Sequence, residues 1–249
     1  IGPGSFRHKY WKTVDKLYDG KTWNEMRRES GANGIDLHWD FYERHPLPVK
    51  DESILAVYCS HVIEHGFDDD VLFLLKECYR VMKEGAVLRL VCPDIRLLAD
   101  RYQSSDWAFF MHYLSVKTTR KKPDASTIDT LAKKGFFTEC LLAWVSLVTQ
   151  PSNSWTVKGK DAVEFILKFD TLYDAFDRAS ELSDRDLNRD IGAHVNWFDI
   201  GKASNFLRSA GFTDIRVSRY LQSVCPVMRD ANLFDRTDPE MSLYLDAVR

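Results

Sequence analysis

The sequence lacks any excess of positive charge: 34 basic against 37 acidic residues leave a net charge of -3. Binding along duplex nucleic acid draws on a net basic surface or stripe, so nucleic acid is not expected as a partner. The one basic run, Arg120-Lys121-Lys122 before Pro123, reads as a solvated loop. No two cysteines stand at CxxC spacing. The five are odd in number and spread from Cys59 to Cys225, which excludes a disulfide framework and a zinc knuckle and points to a reducing, cytoplasmic setting. There is no HExxH, and no metal ion is expected. No apolar run reaches about 18 residues without a charge, so no membrane-spanning segment is expected. Internal repeats and low-complexity tracts are also missing.

What is present is enough for a buried core. The chain has 249 residues, 45% of them hydrophobic and 13% aromatic, the size of one large domain or of one domain with an insertion. Its first hundred residues alternate strand and helix signals. "KTVD" (Lys12–Asp15) and "GIDLHWD" (Gly34–Asp40) are short strand-like runs. "SILAVYCS" (Ser53–Ser60) and "AVLRLVCPD" (Ala86–Asp94) are nearly continuous apolar runs, as in strands covered on both faces. Between them, "DDDVLFLLKECYRVMKEG" has acids in its first turn, apolar residues at helical spacing and Gly85 as its stop. Strand, helix and strand joined by short links form a parallel βαβ unit, hence an α/β sheet. From about Tyr102 to Asp190 the pattern is helical, with "FFTECLLAWVSLVTQ" (Phe136–Gln150) and "DAVEFILKFDTLYDAFDRASEL" (Asp161–Leu182) as the clearest helices. The α/β pattern then resumes with a helix over Asp199–Phe212 and strands over Asp214–Tyr220 and Ser242–Val248. Three segments follow: 1–101, 102–190 as a helical cap, and 191–249 completing the sheet.

Open α/β sheets bind ligands at the carboxyl ends of their strands. Those ends carry Gly2-Pro3-Gly4-Ser5, Asp15, Asp36 with Asp40, Ser60-His61 with Glu64-His65, and Pro93-Asp94. A glycine bend lets backbone N–H groups approach a ligand, and an acid on the next strand can accept both hydroxyls of a ribose. Dinucleotide dehydrogenases have G-x-G-x-x-G with that acid about 20 residues on. Here only G-x-G is present and Asp15 lies 13 residues after Gly2, which disfavours a nicotinamide cofactor.

The stretch "LPVKDESILAVYCSHVIEH" and the later "ECYRVMKEG" resemble the middle of class I S-adenosylmethionine-dependent methyltransferases. "IGPG", "WKTVD", "HVNWFDIGKASNFLRSAGF" and "SLYLDAV" bring the sequence closest to short bacterial methyltransferases associated with surface polysaccharide synthesis. The resemblance covers roughly residues 1–100 and 190–249 and leaves the helical middle uncovered. It departs from the family pattern at Pro3 in the glycine turn and at Glu84 and Ala86. It implies a Rossmann-like fold: a mixed seven-stranded sheet, its last strand antiparallel, with a helical cap insertion. It further implies that the natural protein extends upstream of Ile1, a further domain being one form of that extension.

The implied activity is methyl transfer from S-adenosylmethionine to an oxygen of a glycan or sugar intermediate. Transfer to a small metabolite or natural product, and a non-catalytic scaffold of the same fold, are the alternatives. In this reading Gly2 and Gly4 approach the methionine part of the donor and Asp15 binds its ribose. Asp40, ahead of Asp36, faces the adenine amine, and Ser60 and His61 lie where donor and acceptor meet. His61, His65 and His194 are the candidate bases, since histidine titrates near neutral pH; Asp199 reaches toward the pocket or caps the last helix. Trp107, Tyr113, Trp144 and Trp155 read more simply as core of the cap than as a sugar-stacking surface.

Overall fold

The computed structural model describes residues 1–4, 6–16, 35–118, 124–146, 157–186 and 193–249, with backbone alone for 113–118. The basic run at 120–122 and Trp155 lie outside the described residues. The chain divides into two compact units, one from the described parts of Ile1–Asp94 and Phe198–Arg249, the other from those of Ile95–Asn188 and Ala193–Trp197.

The first unit is built on β-structure. Strands β1 (Val14–Asp15) and β2 (Leu37–His38) form a short parallel pair. Strands β3 (Ile54–Ser60), β4 (Met82–Pro93), β5 (Asp214–Val217) and β6 (Ser242–Val248) form a second sheet in the order β3-β4-β6-β5. β3 and β4 are parallel, with Tyr58 opposite Arg89 and Ser60 opposite Val91. β6 runs antiparallel to both β4 and β5. The expected single seven-stranded sheet is therefore corrected: among the described residues there are a four-stranded and a two-stranded sheet. One cause is local. Thr13 gives its backbone N–H (2.8 Å) and its hydroxyl (2.9 Å) to the Asp36 carboxylate, so pairing on β2 begins only at Val14. β1 and β3 are linked through the chain's first two residues. The Ile1 nitrogen donates to the Tyr58 carbonyl (2.7 Å) and the Gly2 N–H to the Val14 carbonyl (3.0 Å).

Helix α1 (Asp68–Val81) closes the parallel βαβ unit between β3 and β4. Its first turn carries Asp68, Asp69 and Asp70, favourable beside the unpaired N–H groups of a helix start. Val71, Leu74, Leu75, Cys78 and Val81 recur at helical spacing and are all buried. Gly85 was expected to stop this helix. Instead α1 ends at Val81, and Met82 is already extended and paired with Ile54. Residues 83–86 form an irregularity in β4, since Ile54 pairs with Met82 while Ala56 pairs with Val87. Arg80 and Glu77 at the helix end fix the Leu47-Pro48 turn: Arg80 donates to the Leu47 and Val49 carbonyls (2.8 and 3.0 Å), and Glu77 accepts the Leu47 N–H (2.7 Å). The core of this unit includes Cys59, Leu74, Leu75, Leu88, Leu90, Phe212 and Leu245.

The second unit is helical: α2 (Ile95–Gln103), α3 (Trp107–Thr118), α4 (Ala125–Lys133), α5 (Phe136–Ala143), α6 (Gly159–Ile166) and α7 (Leu172–Glu181). The helix expected over 161–182 is broken in two. Thr171 accepts the Asp174 N–H and Asp174 accepts the Thr171 N–H, a capping box that starts α7 afresh. Trp107 stacks on Phe137 at 4.6 Å with rings 4° apart, inside a cluster with Phe110. Helix α8 (Ile200–Ala210) returns to the first unit, with Asp199 accepting the Lys202 N–H (2.7 Å) as its N-cap and Gly211 ending it. Among the described residues no helix is long and apolar enough to cross a membrane.

Candidate functional site

The chain's first four residues make the bend that the sequence suggests, and each glycine is required for a different reason. Both have positive φ, +61° at Gly2 and +48° at Gly4, where a side chain is strained. A Cβ on Gly2 would stand 2.3 Å from Val62 Cγ2, so the bend is pressed onto the loop that leaves β3. A Cβ on Gly4 would meet nothing within 4 Å; the space beside it is open. The Gly2 N–H bonds the carbonyl of Val14, the residue before Asp15. The glycine bend and the acid that closes β1 are therefore neighbours through the backbone.

Asp15 is half-buried and its Oδ1 accepts the Lys16 N–H (2.8 Å). Asp40 caps the short 3-10 turn Phe41–Glu43 by accepting the Tyr42 N–H (3.0 Å). Asp36, the less favoured partner for a nucleobase, is committed to structure. It holds Thr13 and pairs with Lys12 (3.0 Å), and the Thr13 N–H above all keeps its carboxyl at about 2. A cavity of about 830 Å³ opens at the bend, within the range of small-molecule sites. Gly2, Gly4, Trp11, Val14, Val57 and Ser60 are among its lining residues, whereas Asp15, Asp40, His61 and His65 are not. Ser60 Oγ is buried there, with no hydrogen-bond partner within 3.5 Å among the described residues.

His61 follows β3 directly and sits at φ +53°, unusual for a residue with a side chain. Its Nδ1 lies 3.2 Å from Glu64 Oε1 and its Nε2 2.9 Å from Ser242 Oγ. Ser242 also donates to the Asp238 carbonyl (2.8 Å), so its hydroxyl is set to accept from Nε2–H. The Nε2 contact ties the end of β3 to the start of β6, while Nδ1 faces the Glu64 carboxylate. His61 and His65 stand four residues apart. On a helix that spacing would put both rings on one face, but they lie at a strand end and in the 3-10 turn Ile63–His65. His194 belongs to the helical unit, where Nδ1 lies 3.1 Å from the Trp144 carbonyl and the ring meets Trp144 edge-on. Trp107 and Trp144 are thereby partnered inside that unit. The side chain of Tyr113 lies outside the described residues.

Sequence reasoning missed the buried charges. Arg89, Asp235 and Asp246 are wholly buried, with Arg89 Nη2 2.5 Å from Asp235 and Nη1 3.2 Å from Asp246. The signal was available: a lone arginine in "VLRLV" and a lone aspartate in "LYLDAV" each need a buried partner.

Residues 2–90 match the family model described as a methyltransferase domain, from the glycine bend to the middle of β4. No curated protein matches the chain. Among solved structures, the S-adenosylmethionine-dependent methyltransferase SibL in its apo form aligns at 11% identity and TM-score 0.41, over 96% of this chain and 42% of that one. An S-adenosylmethionine dependent methyltransferase from Mesorhizobium loti aligns at 13% identity and TM-score 0.41, over 96% and 81%. A SAM dependent methyltransferase from Archaeoglobus fulgidus aligns at 12% identity and TM-score 0.37, over 97% and 87%. These scores are too low to carry an argument. The chain spans 53%, 42% and 43% of the first three solved chains it aligns with, about half their length. Residues 2–90 are thus similar to a methyltransferase domain, and the strand order β3-β4-β6-β5 with β6 antiparallel is that of a Rossmann-like sheet.

The two glycines should separate on substitution. Gly2→Ala combines backbone strain with the Val62 clash and is expected to cost about 2–4 kcal/mol of stability, against about 1 kcal/mol for Gly4→Ala, which meets only the strain. Denaturant unfolding of the two variants measures this; equal losses would contradict the account of Gly2.

Proposed function

We propose that the protein transfers a methyl group from S-adenosylmethionine to an oxygen nucleophile of a sugar-containing acceptor. The observation that carries the methyl-transfer part is the glycine bend joined by one hydrogen bond to Val14 of β1, inside the stretch that matches a methyltransferase domain. The residues present fit such a donor. Gly2, Gly4 and Ser60 line the cavity, Gly4 borders open space, and Asp15, outside the lining, ends the adjoining strand. The sugar part is supported by the resemblance of the sequence to methyltransferases linked to polysaccharide synthesis.

The donor supplies an electrophilic methyl carbon on a sulfonium. With the donor bound, the acceptor oxygen would take that carbon, a thioether would leave, and the hydroxyl proton would pass to a base. In-line displacement depends mainly on alignment. In this reading Gly2 and Gly4 let the backbone approach the amino-acid end, Asp15 holds the ribose hydroxyls, Asp40 faces the adenine amine, and Ser60 borders the reacting end. We assign the proton-accepting role to His65, since Nε2 of His61 is bonded to Ser242 and its Nδ1 faces Glu64. His61 is then a positioning residue that sets the end of β3.

Titration calorimetry with S-adenosylhomocysteine tests the donor site. The chain should bind it, and Asp15→Asn should bind about tenfold or more weakly, the loss of one charge-assisted hydrogen bond. Unchanged affinity in Asp15→Asn would remove Asp15 from the site. For the base, His65→Gln should lower turnover about 10²–10⁴-fold with donor affinity intact. A His65→Gln enzyme with wild-type turnover would overturn the assignment.

A further inference from the structure

Arg89 sits in the middle of β4 with no exposed surface, between Tyr58 on β3 and Asp246 on β6. Its guanidinium grips Asp235 with two parallel bonds, Nε to Oδ1 (2.9 Å) and Nη2 to Oδ2 (2.5 Å). Burial alone would pull the arginine pKa down, but Asp235 and Asp246 outweigh it and hold it above its ordinary value. Asp235 also accepts the Leu221 N–H (2.9 Å), and its own N–H donates to the Tyr58 hydroxyl (2.8 Å). Leu221 and Asp235 both have positive φ, +55° and +54°, without being glycine. Two strained residues are thus held by one carboxylate.

The residue beside Asp235 is Phe234, 1% exposed. Its ring packs on Tyr58 (5.0 Å), Trp11 (5.2 Å) and Phe6 (5.5 Å). Phe6 and Trp11 belong to the segment between the glycine bend and β1. An unbroken line of contacts therefore runs from the centre of the four-stranded sheet to the bend. Stability does not require such a line to be charged: well-packed apolar residues often replace a buried ion pair at no loss. What a forked, bidentate pair adds is direction, because it fixes both the position and the angle of Asp235 and hence of Phe234.

We propose that the Arg89–Asp235 pair, acting through Phe234, is a positioning device that holds the 6–11 segment and with it the glycine bend, and so sets the affinity for the methyl donor. The proposal rests on the donor-site reading above. Phe234 touches no reacting atom; it acts through Phe6 and Trp11.

Phe234→Leu tests it while keeping an apolar residue in place. The variant should fold, lose about tenfold or more in affinity for S-adenosylhomocysteine, and raise the KM for the donor with kcat at saturation unchanged. Amide hydrogen exchange at Gly2 and Gly4, read by NMR, should speed up by about the same factor, while exchange in β4 and β6 stays as in the wild type. Wild-type affinity and wild-type exchange at the glycines in a folded Phe234→Leu protein would overturn the proposal. A fall in kcat with donor affinity intact would also overturn it. If the unaltered chain bound no S-adenosylhomocysteine, the donor reading would fail, and the exchange rates at Gly2 and Gly4 would still decide whether Phe234 holds the bend. Should Phe234→Leu unfold, Phe234→Met carries the same test.

Discussion

The sheet unit depends on two hydrogen bonds at one corner. The nitrogen of Ile1 bonds β3 and the N–H of Gly2 bonds β1, so consecutive residues join two sheets that otherwise have separate ladders. This junction is made with positive φ at Gly2 and again at Gly4. It also needs the absence of a side chain where Val62 presses in. Everything assigned to the donor site is placed relative to that corner: Asp15 one residue beyond the bonded Val14, and Ser60 two beyond the bonded Tyr58.

Polar side chains in this unit largely do structural work. Asp36 is spent on Thr13 and Lys12, Asp199 on a helix start, Glu77 and Arg80 on the Leu47-Pro48 turn, and His61 on Glu64 and Ser242. Groups that satisfy buried or strained backbone are poorly suited to exchange partners during a reaction, because releasing them leaves a desolvated polar atom behind. That constraint narrows the chemistry to a few positions.

The elements most readable in the sequence were those with a strong period and a strong stop. Ser242–Val248 is a strand over the whole expected stretch, and α8 begins where Asp199 caps it. The apolar runs at 53–60 and 86–94 became β3 and the second half of β4. The failures have physical causes. Gly85 looks like a helix stop, yet Met82 finds a strand partner in Ile54 three residues earlier, and pairing outweighs the local signal. Val14 and Leu37 begin pairs of only two residues, because the carboxylate of Asp36 takes over the N–H of Thr13. The glycine bend and the strand that ends at Asp15 were legible as local structure because their conformational needs are local. The fastening of His61 was not: Ser242 lies 181 residues away, and a contact so remote leaves no spacing to read.

Binding of the methyl donor at the corner where Ile1 and Gly2 join the sheets is the claim on which the functional account stands. Hydrogen–deuterium exchange with and without saturating S-adenosylhomocysteine measures it directly. The account predicts added protection at residues 2–4, at Asp15-Lys16, around Asp40 and at Ser60-His61, with little change in β5 or in the middle of β6. Protection confined to the helical unit, or none near the glycine bend, would contradict it.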